Sequence, residues 1–471
     1  MSLVFYDTET TGTDTFFDQI LQFAAIQTDE ELKEIDRIEI RSRLLPHIVP
    51  APGAMRVTGV TVSQLTDTSI PSHYEMVRAI REKLLSWSPA LFIGWNTIDF
   101  DESLIRQAFY KTLHNPYLTN RDGNTRSDVM RIVQACSIFA PTAIKIPTGE
   151  KGQKVFKLDR VAPANGFKHD QAHNAMGDVL ATIFVCRLLM EKAPDIWSSF
   201  MRFSTKAAVT DFITDELLFC WSDFFFGKPF SCIVTAIGQN KAIGTEWYIY
   251  DLSVDPNSLL TLSDEQLAAR LARTPKPLRR LRSNAAPMLF PAEDAPEICK
   301  GRENGLNELE RRANVVKADA RLRERLIAAF ETLKEEYPSS PHVEKQIYDG
   351  FIEEADEKLM VQFHEAEWPK RLAIVEKFKD LRLKKIGWQL VAFERPELLD
   401  QSLRRAHHLA AANRLLGQGE DVTWLTLPKA LEEIKLLLSG ASGAKLQFLR
   451  EHEQYLRLCH KEALSHGIIS G

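Results

Sequence analysis

Six cysteines in 471 residues, none in a Cys-x-x-Cys pair, are too few and too scattered for a disulfide framework or a zinc ribbon. Reduced thiols at Cys136, Cys186, Cys220, Cys232, Cys299 and Cys459 are the expectation. No stretch approaches the roughly 18 consecutive apolar residues that a membrane-crossing helix needs. The chain opens on Met1-Ser2-Leu3-Val4-Phe5, with no basic segment ahead of it. A cytoplasmic protein without membrane attachment is therefore expected. Internal repeats and low-complexity tracts are also missing, which argues against solenoid and disordered classes. Nor is there a cationic excess: 59 Lys and Arg stand against 64 Asp and Glu, a net charge of −5. Such a chain does not hold a phosphate polymer by bulk charge, so any such contact must come from local patches. The densest basic run is Lys276 to Asn284.

The sequence has ample means to fold: 44% of residues are hydrophobic and 26% charged, over a length that favours two or three domains. Leu3-Val-Phe-Tyr6, Ile20 to Gln27, the alternating Ile38 to Leu45, and Ala90 to Trp95 read as strands. Glu75 to Leu85, a segment opening at Asp101, Ser127 to Phe139 and Asn174 to Lys192 read as helices. Strands and helices mixed in this order predict an α/β domain with one main sheet. After Pro194 the texture turns aromatic and β-branched, as in Phe224 to Thr235 and Glu246 to Tyr250. From Pro341 onward it is helical.

Three short patterns carry chemistry. Asp7-Thr8-Glu9 follows the first strand, and alternation along a strand puts Asp7 and Glu9 on one face. Two carboxylates there repel unless a divalent cation lies between them, and an oxygen-only set favours Mg²⁺ or Mn²⁺ over zinc. Asn96-Thr-Ile-Asp-Phe-Asp101 follows a buried strand, and Asp101 stands at a helix start, where Asp commonly serves as the cap. His173-Asn-Ala-Met-Gly-Asp178 heads an amphipathic helix, with the histidine expected ahead of the first turn and Asp178 directed back toward the strand carboxylates. Each alone has a simpler use as a solvated turn, a cap or a surface pair.

Together and in this order they resemble the DEDDh exonuclease superfamily, on the ribonuclease H-like fold. The resemblance implies that Asp7, Glu9, Asp101 and Asp178 are the metal-site acids and His173 the general base. It implies hydrolysis assisted by two Mg²⁺ ions, with Mn²⁺ able to substitute, that releases nucleoside 5′-monophosphates from a 3′ end. A histidine whose ordinary pKa is about 6.5 suits proton removal near neutral pH.

Further segments resemble the bacterial exodeoxyribonuclease I family: Pro52-Gly-Ala54, Thr58-Gly-Val-Thr61, Asp128-Val-Met-Arg131, Ala164-Asn-Gly166 and Gln346-Ile-Tyr-Asp-Gly-Phe351. This implies a nuclease domain over 1–195, an SH3-like β domain over 196–340 and a helical domain over 341–471 that closes a channel for single-stranded DNA, in a monomer acting in DNA repair. The residues matching that family's DNA contacts are Arg106, Tyr117, Arg131, Lys157, Lys206 and Tyr348, with Glu9 also beside the strand. Lys157 stands where the family commonly has arginine, and so lacks the bidentate fork. Glu102 stands where the family often has a second aspartate. The family also implies a partner, the acidic tail of single-stranded DNA-binding protein, for which Lys276–Arg282 and Arg311-Arg312 are the basic candidates. The rival readings are an RNA-trimming or proofreading exonuclease with accessory domains, and an inert strand-binding scaffold.

Overall fold

The chain is described by a computed structural model over residues 2–168, 174–225, 228–300, 305–335, 338–419 and 421–467. Ser2–Thr10 (β1), Ile20–Thr28 (β2) and Glu34–Arg41 (β3) form an antiparallel meander. Ala90–Gly94 (β4) pairs parallel to β1, and Thr125–Asp128 (β5) parallel to β4. The sheet order is β3-β2-β1-β4-β5, a mixed sheet with β1 at its centre.

Both faces of that sheet are covered, which is why β1 reads as an unbroken apolar run. Alternation sorts its side chains. Leu3 and Phe5 point into a core shared with Ala175, Val179, Ile183 and Cys186 of the Ala175–Lys192 helix. Val4 and Tyr6 point the other way, among Met76, Ile80, Leu104 and Ile105 of the His73–Trp87 and Asp101–Lys111 helices. The odd-numbered face therefore carries Asp7 and Glu9 toward the helix that holds Asp178.

Two segments differ from the sequence reading. The third strand covers Glu34–Arg41 rather than Ile38 to Leu45. The chain leaves the ladder at Ser42, whose hydroxyl donates to the Ile20 carbonyl, and the Arg43 amide goes to the Pro71 carbonyl. The middle of the chain is also not purely β. Phe219–Phe225 (β6), Lys228–Gln239 (β7), Glu246–Asp251 (β8), Leu278–Arg282 (β9) and Met288–Pro291 (β10) form an antiparallel sheet in the order β10-β6-β7-β8-β9. Helices at Pro194–Arg202, Lys206–Asp215, Asp264–Ala272, Gly305–Ala318 and Ala320–Glu331 surround it. The last two bury Leu309, Ala313, Val316, Leu322 and Leu326 in the core, so helix begins well before Pro341. From Glu354 on, the described chain is a set of helices ending in Gly443–Gly467.

The helical region docks on the nuclease domain through the far end of the Asp101–Lys111 helix. Gln107 Nε2 donates to the Glu344 carbonyl at 2.8 Å and the Tyr110 hydroxyl to the Val343 carbonyl at 3.2 Å. Tyr74, Tyr110 and Leu113 join Val343, Ile347, Phe363 and Val375 in one apolar cluster. Beside it the His114 and His364 rings stack at 3.7 Å, His364 Nδ1 meets the Tyr74 hydroxyl at 2.9 Å, and its Nε2 meets the Leu113 carbonyl at 2.9 Å. Burial lowers the His364 pKa to about 4 and that of His73, in the same helix as Tyr74, to about 3.

These imidazoles fold neutral, whereas in the unfolded chain they charge near pH 6.5. Between those values the unfolded state holds more protons, so their contribution is intact above about pH 6.5 and is lost as pH falls toward 4. In excess Mg²⁺, the melting temperature is expected to drop between about pH 7 and 5, and His364→Gln, which takes up no proton, to drop less. Equal slopes for the two proteins in thermal melts would contradict a neutral buried His364.

Candidate active site

At the end of β1 the apolar run stops but the alternation continues. Asp7 and Glu9 occupy the two positions after Phe5 on the face toward the Ala175–Lys192 helix. That helix is begun by Asn174, whose side-chain oxygen accepts from the Met176 and Gly177 amides at 3.2 and 3.4 Å. The cap fixes where the first turn starts and therefore where Asp178 points. A carboxylate oxygen from each of Asp7, Glu9 and Asp178 lies within 4.8 Å of the others. His173 lies outside the described residues.

Asp101 comes from the opposite side. The position ahead of its helix is Phe100, which makes no side-chain cap. Asp101 is the first helical residue and does not cap: its Oδ1 accepts from the Thr8 hydroxyl at 2.6 Å and the Thr8 amide at 3.1 Å. Thr8 lies between the two acids of β1 and faces the other way, so one strand addresses both helices. Asp101 is buried at 3% exposure and lies outside the three-carboxylate group, yet close enough to disfavour the charge on Asp7.

The loop leading to Asp101 is set by Asp128, which the sequence showed only as part of a family segment. Buried at the end of β5, Asp128 accepts from the amides of Asn96 at 3.0 Å, Ile98 at 3.2 Å and Met130 at 2.9 Å. It thus caps the Val129–Phe139 helix and holds the 96–98 turn with one carboxylate. Gly94, before that turn, has no room for a Cβ, which would meet Thr97 Oγ1 and the Tyr6 carbonyl. The cue was an Asp after a strand and before a helix, a capping signal whose second use needs the fold.

The electrostatics are those of a site suited to a cation. Burial pushes Asp7 well above the ordinary carboxyl range, with Asp101, Asp178 and Glu9 adding repulsion. Burial raises Glu9 to about 8, with Asp178 and Asp101 adding to it and Arg41 opposing. Burial raises Asp101 to about 7 against the Thr8 hydrogen bonds. An oxygen-only donor set under this repulsion fits a hard divalent cation better than protons alone.

The other sequence candidates are spread over several places. Arg106, Tyr117 and Tyr348 come together: the Arg106 guanidinium lies 5.4 Å from the Tyr117 ring centroid, with the Tyr348 side chain near enough to favour its charge. Arg131 donates to the Ala285 carbonyl at 3.1 Å and pairs with Asp99 at 3.3 Å. It lines a cavity of about 210 Å³ with Trp221, Arg280 and Arg282. Lys157 and Lys206 are exposed, the latter opening the Lys206–Asp215 helix. The basic run at Lys276–Arg282 leads into β9 at Leu278, where Arg280 is paired with Glu331 at 2.8 Å and Glu246 at 3.2 Å. Arg311 and Arg312 both pair with Glu308.

A mixed sheet with acids from its central strand and two flanking helices is the arrangement of an exonuclease, and residues 4–186 match the RNase_T exonuclease family model. Residues 341–459 match the exonuclease I C-terminal domain, and the chain is a homologue of exodeoxyribonuclease I. It is 28% identical to exodeoxyribonuclease I of Escherichia coli K12 over 93% of this chain and 96% of that one. Among solved structures, exonuclease I from Methylocaldum szegediense superposes with a TM-score of 0.84 at 24% identity, covering 98% of this chain and 99% of that one. A zinc-bound E. coli exonuclease I–single-stranded DNA complex gives 0.81 at 24% identity over 97% and 99%. At that identity the structural likeness speaks for the fold.

The raised carboxyls set a pH dependence opposite in sign to that of the histidines. Folded Glu9 keeps its proton to about pH 8, whereas the unfolded residue releases it near 4.5. Across that window the folded state holds more protons, so the metal-free protein loses stability as pH rises through it. Mg²⁺ is expected to raise the melting temperature more at about pH 8 than at pH 6. Asp178→Asn is expected to stabilise the metal-free protein while removing most of the Mg²⁺ response. Calorimetric melts with and without Mg²⁺ check both, and a Mg²⁺ shift independent of pH would count against shared coordination.

Proposed function

We propose that this chain is a 3′→5′ exonuclease specific for single-stranded DNA, releasing nucleoside 5′-monophosphates and serving DNA repair. The observation that carries this reading is the meeting of Asp7, Glu9 and Asp178 within 4.8 Å, with Asp101 beside them. It is supported by a homology to exodeoxyribonuclease I that spans nearly the whole chain.

Asp7, Glu9, Asp101 and Asp178 would hold two divalent ions, Mg²⁺ with Mn²⁺ as substitute. Bound ions of this kind polarise the phosphate and stabilise the attacking and leaving oxygens of an in-line displacement. The chain's own residues do the rest. His173 takes the proton from the attacking water, and Thr8 holds Asp101 against rotation through its two hydrogen bonds. Arg106, Arg131, Lys157 and Lys206 hold phosphates, and Tyr117 and Tyr348 offer aromatic faces to bases. Residues 1–195 act as the nuclease, 196–340 as an SH3-like domain, and 341–471 as the arm that closes the channel in a monomer, so no partner subunit is needed. The protein would work in the cytoplasm.

The acidic tail of single-stranded DNA-binding protein is the proposed protein partner. An open groove of about 1060 Å³ lined by Pro229, Phe230, Ile233, Ile298, Leu309 and Arg312 suits a peptide with acidic residues and an apolar end. Ile298 is 93% exposed there. A fluorescent tail peptide is expected to bind with an affinity that falls on raising salt and in Arg312→Glu; unchanged binding by that variant would move the site elsewhere.

Matched DNA and RNA oligonucleotides labelled at the 5′ end test the main reading. DNA is expected to shorten stepwise with Mg²⁺ while RNA and blunt duplex persist. Preferential loss of the RNA would make the enzyme an exoribonuclease, and no digestion of either would leave a binding scaffold. Asp178→Ala is expected to abolish cleavage, and His173→Ala to lose about 10²- to 10⁴-fold in kcat, the usual worth of a general base. Native rates in either variant would refute its assigned role.

A further inference from the structure

Directly after Asp101 comes Glu102, and it is one of the most buried charged residues described, at 1% exposure. Its carboxylate gathers donors from four elements. Oε2 accepts from the Tyr6 hydroxyl of β1 at 3.1 Å. Oε1 accepts from Thr119 at 2.6 Å, from Arg126 Nη1 of β5 at 2.9 Å, and from Arg106 Nε one helical turn on at 3.0 Å. Two guanidiniums thus converge on one carboxylate oxygen, with side-chain exposures of 14% for Arg106 and 9% for Arg126.

This cluster carries a net positive charge: one buried anion holds two cations that would otherwise repel. The uncompensated charge is presented at Arg106, the member that continues outward to the Tyr117 ring at 5.4 Å and to Tyr348, which is 56% exposed. Tyr348 belongs to the helical region, so Arg106 reaches from the nuclease domain toward it. The inner end of the cluster is equally fixed. Tyr6 precedes Asp7 and Glu102 follows Asp101, and the Tyr6 hydroxyl needs only an acceptor oxygen at position 102, which glutamine also offers, so this bond does not depend on the charge that holds Arg106.

We propose that Glu102 is a positioning residue for strand binding: it clamps Arg106 in the place where, with Tyr117 and Tyr348, it grips a backbone phosphate of the nucleic acid. The inference rests on the exonuclease reading. It differs from a merely structural role because it assigns the loss on substitution to Arg106 and hence to strand affinity. A carboxylate at this distance suits the site because a longer arm reaches Arg126 and Thr119 as well as Arg106, and shortening it by one methylene withdraws it from some of them.

The test is a double-mutant cycle on Glu102→Gln and Arg106→Gln, with Glu102→Asp as the milder variant, on the full-length protein with Mg²⁺. Two substrates are used: a single-stranded DNA oligonucleotide, and the p-nitrophenyl ester of thymidine 5′-monophosphate, which has no further backbone to grip. For the oligonucleotide, Glu102→Gln is expected to raise KM about tenfold with kcat within about twofold, a size typical of losing a charge-assisted contact. Glu102→Asp should fall between it and the native protein. Arg106→Gln should give a similar rise, and the double variant should be no worse than the worse single one. Ester hydrolysis by Glu102→Gln should match the native rate.

Additive effects of the two substitutions would overturn the proposal, as would a fall in kcat shared by both substrates, which would place Glu102 in the support of Asp101. Native KM in Glu102→Gln would overturn it too. If Glu102→Gln fails to fold, Glu102→Asp and the cycle built on it decide the same question. A native protein inactive on both substrates would instead sink the exonuclease reading.

Discussion

Like charges held close together in a partly dewatered cleft dominate this structure. Asp7, Glu9 and Asp178 converge at one end of the central strand with Asp101 beside them, and burial together with their mutual repulsion favours their neutral forms. Nothing local makes such an arrangement stable. It is held by what stands behind it: a strand paired on both sides, a helix whose start is fixed by Asn174, and a turn whose amides are tied to Asp128. The scaffold stores an affinity for a cation in the form of carboxylates that cannot relax apart.

The central strand accomplishes this through its simplest property, alternation. Odd positions run Leu3, Phe5, Asp7, Glu9, passing from core to site on the same face. Even positions run Val4, Tyr6, Thr8, with Tyr6 bonded to Glu102 and Thr8 to Asp101. The nine residues of β1 therefore define a metal-facing side and a bracing side. The bracing side accounts for residues that a list of ligands leaves unexplained, Thr8 and Tyr6 first among them.

Much of this is legible in the sequence. The shared face of Asp7 and Glu9 follows from strand periodicity, and the helix over Asn174 to Lys192 is legible as an amphipathic segment, whereas the Asn174 cap that fixes its start is not. One main sheet in an α/β domain follows from the order of strands and helices, and its mixed pairing is what the ribonuclease H-like resemblance implies. What the sequence concealed were side-chain partnerships across long separations. Asp101 looked like a cap and is instead held by Thr8, 93 positions away. Glu102 looked like a spare acid and is a buried hub, and Asp128 hides a clamp inside an ordinary capping signal. The middle of the chain misled for another reason. Its aromatic strands announce a sheet so strongly that the helices at Gly305–Ala318 and Ala320–Glu331, which pack on it, were absorbed into a β reading.

The Asp101–Lys111 helix has one end in the acid cluster and the other under the helical region, where Gln107 and Tyr110 donate to backbone carbonyls of residues 343 and 344. Those carbonyls belong to the same short turn that ends at Tyr348. The nuclease domain is consequently not a portable module. Cut free, it would expose Tyr74, Tyr110 and Leu113 to water and lose the anchor of the rod that carries one of its own acids. Moving this nuclease onto another scaffold would require an equivalent abutment beneath Gln107 and Tyr110.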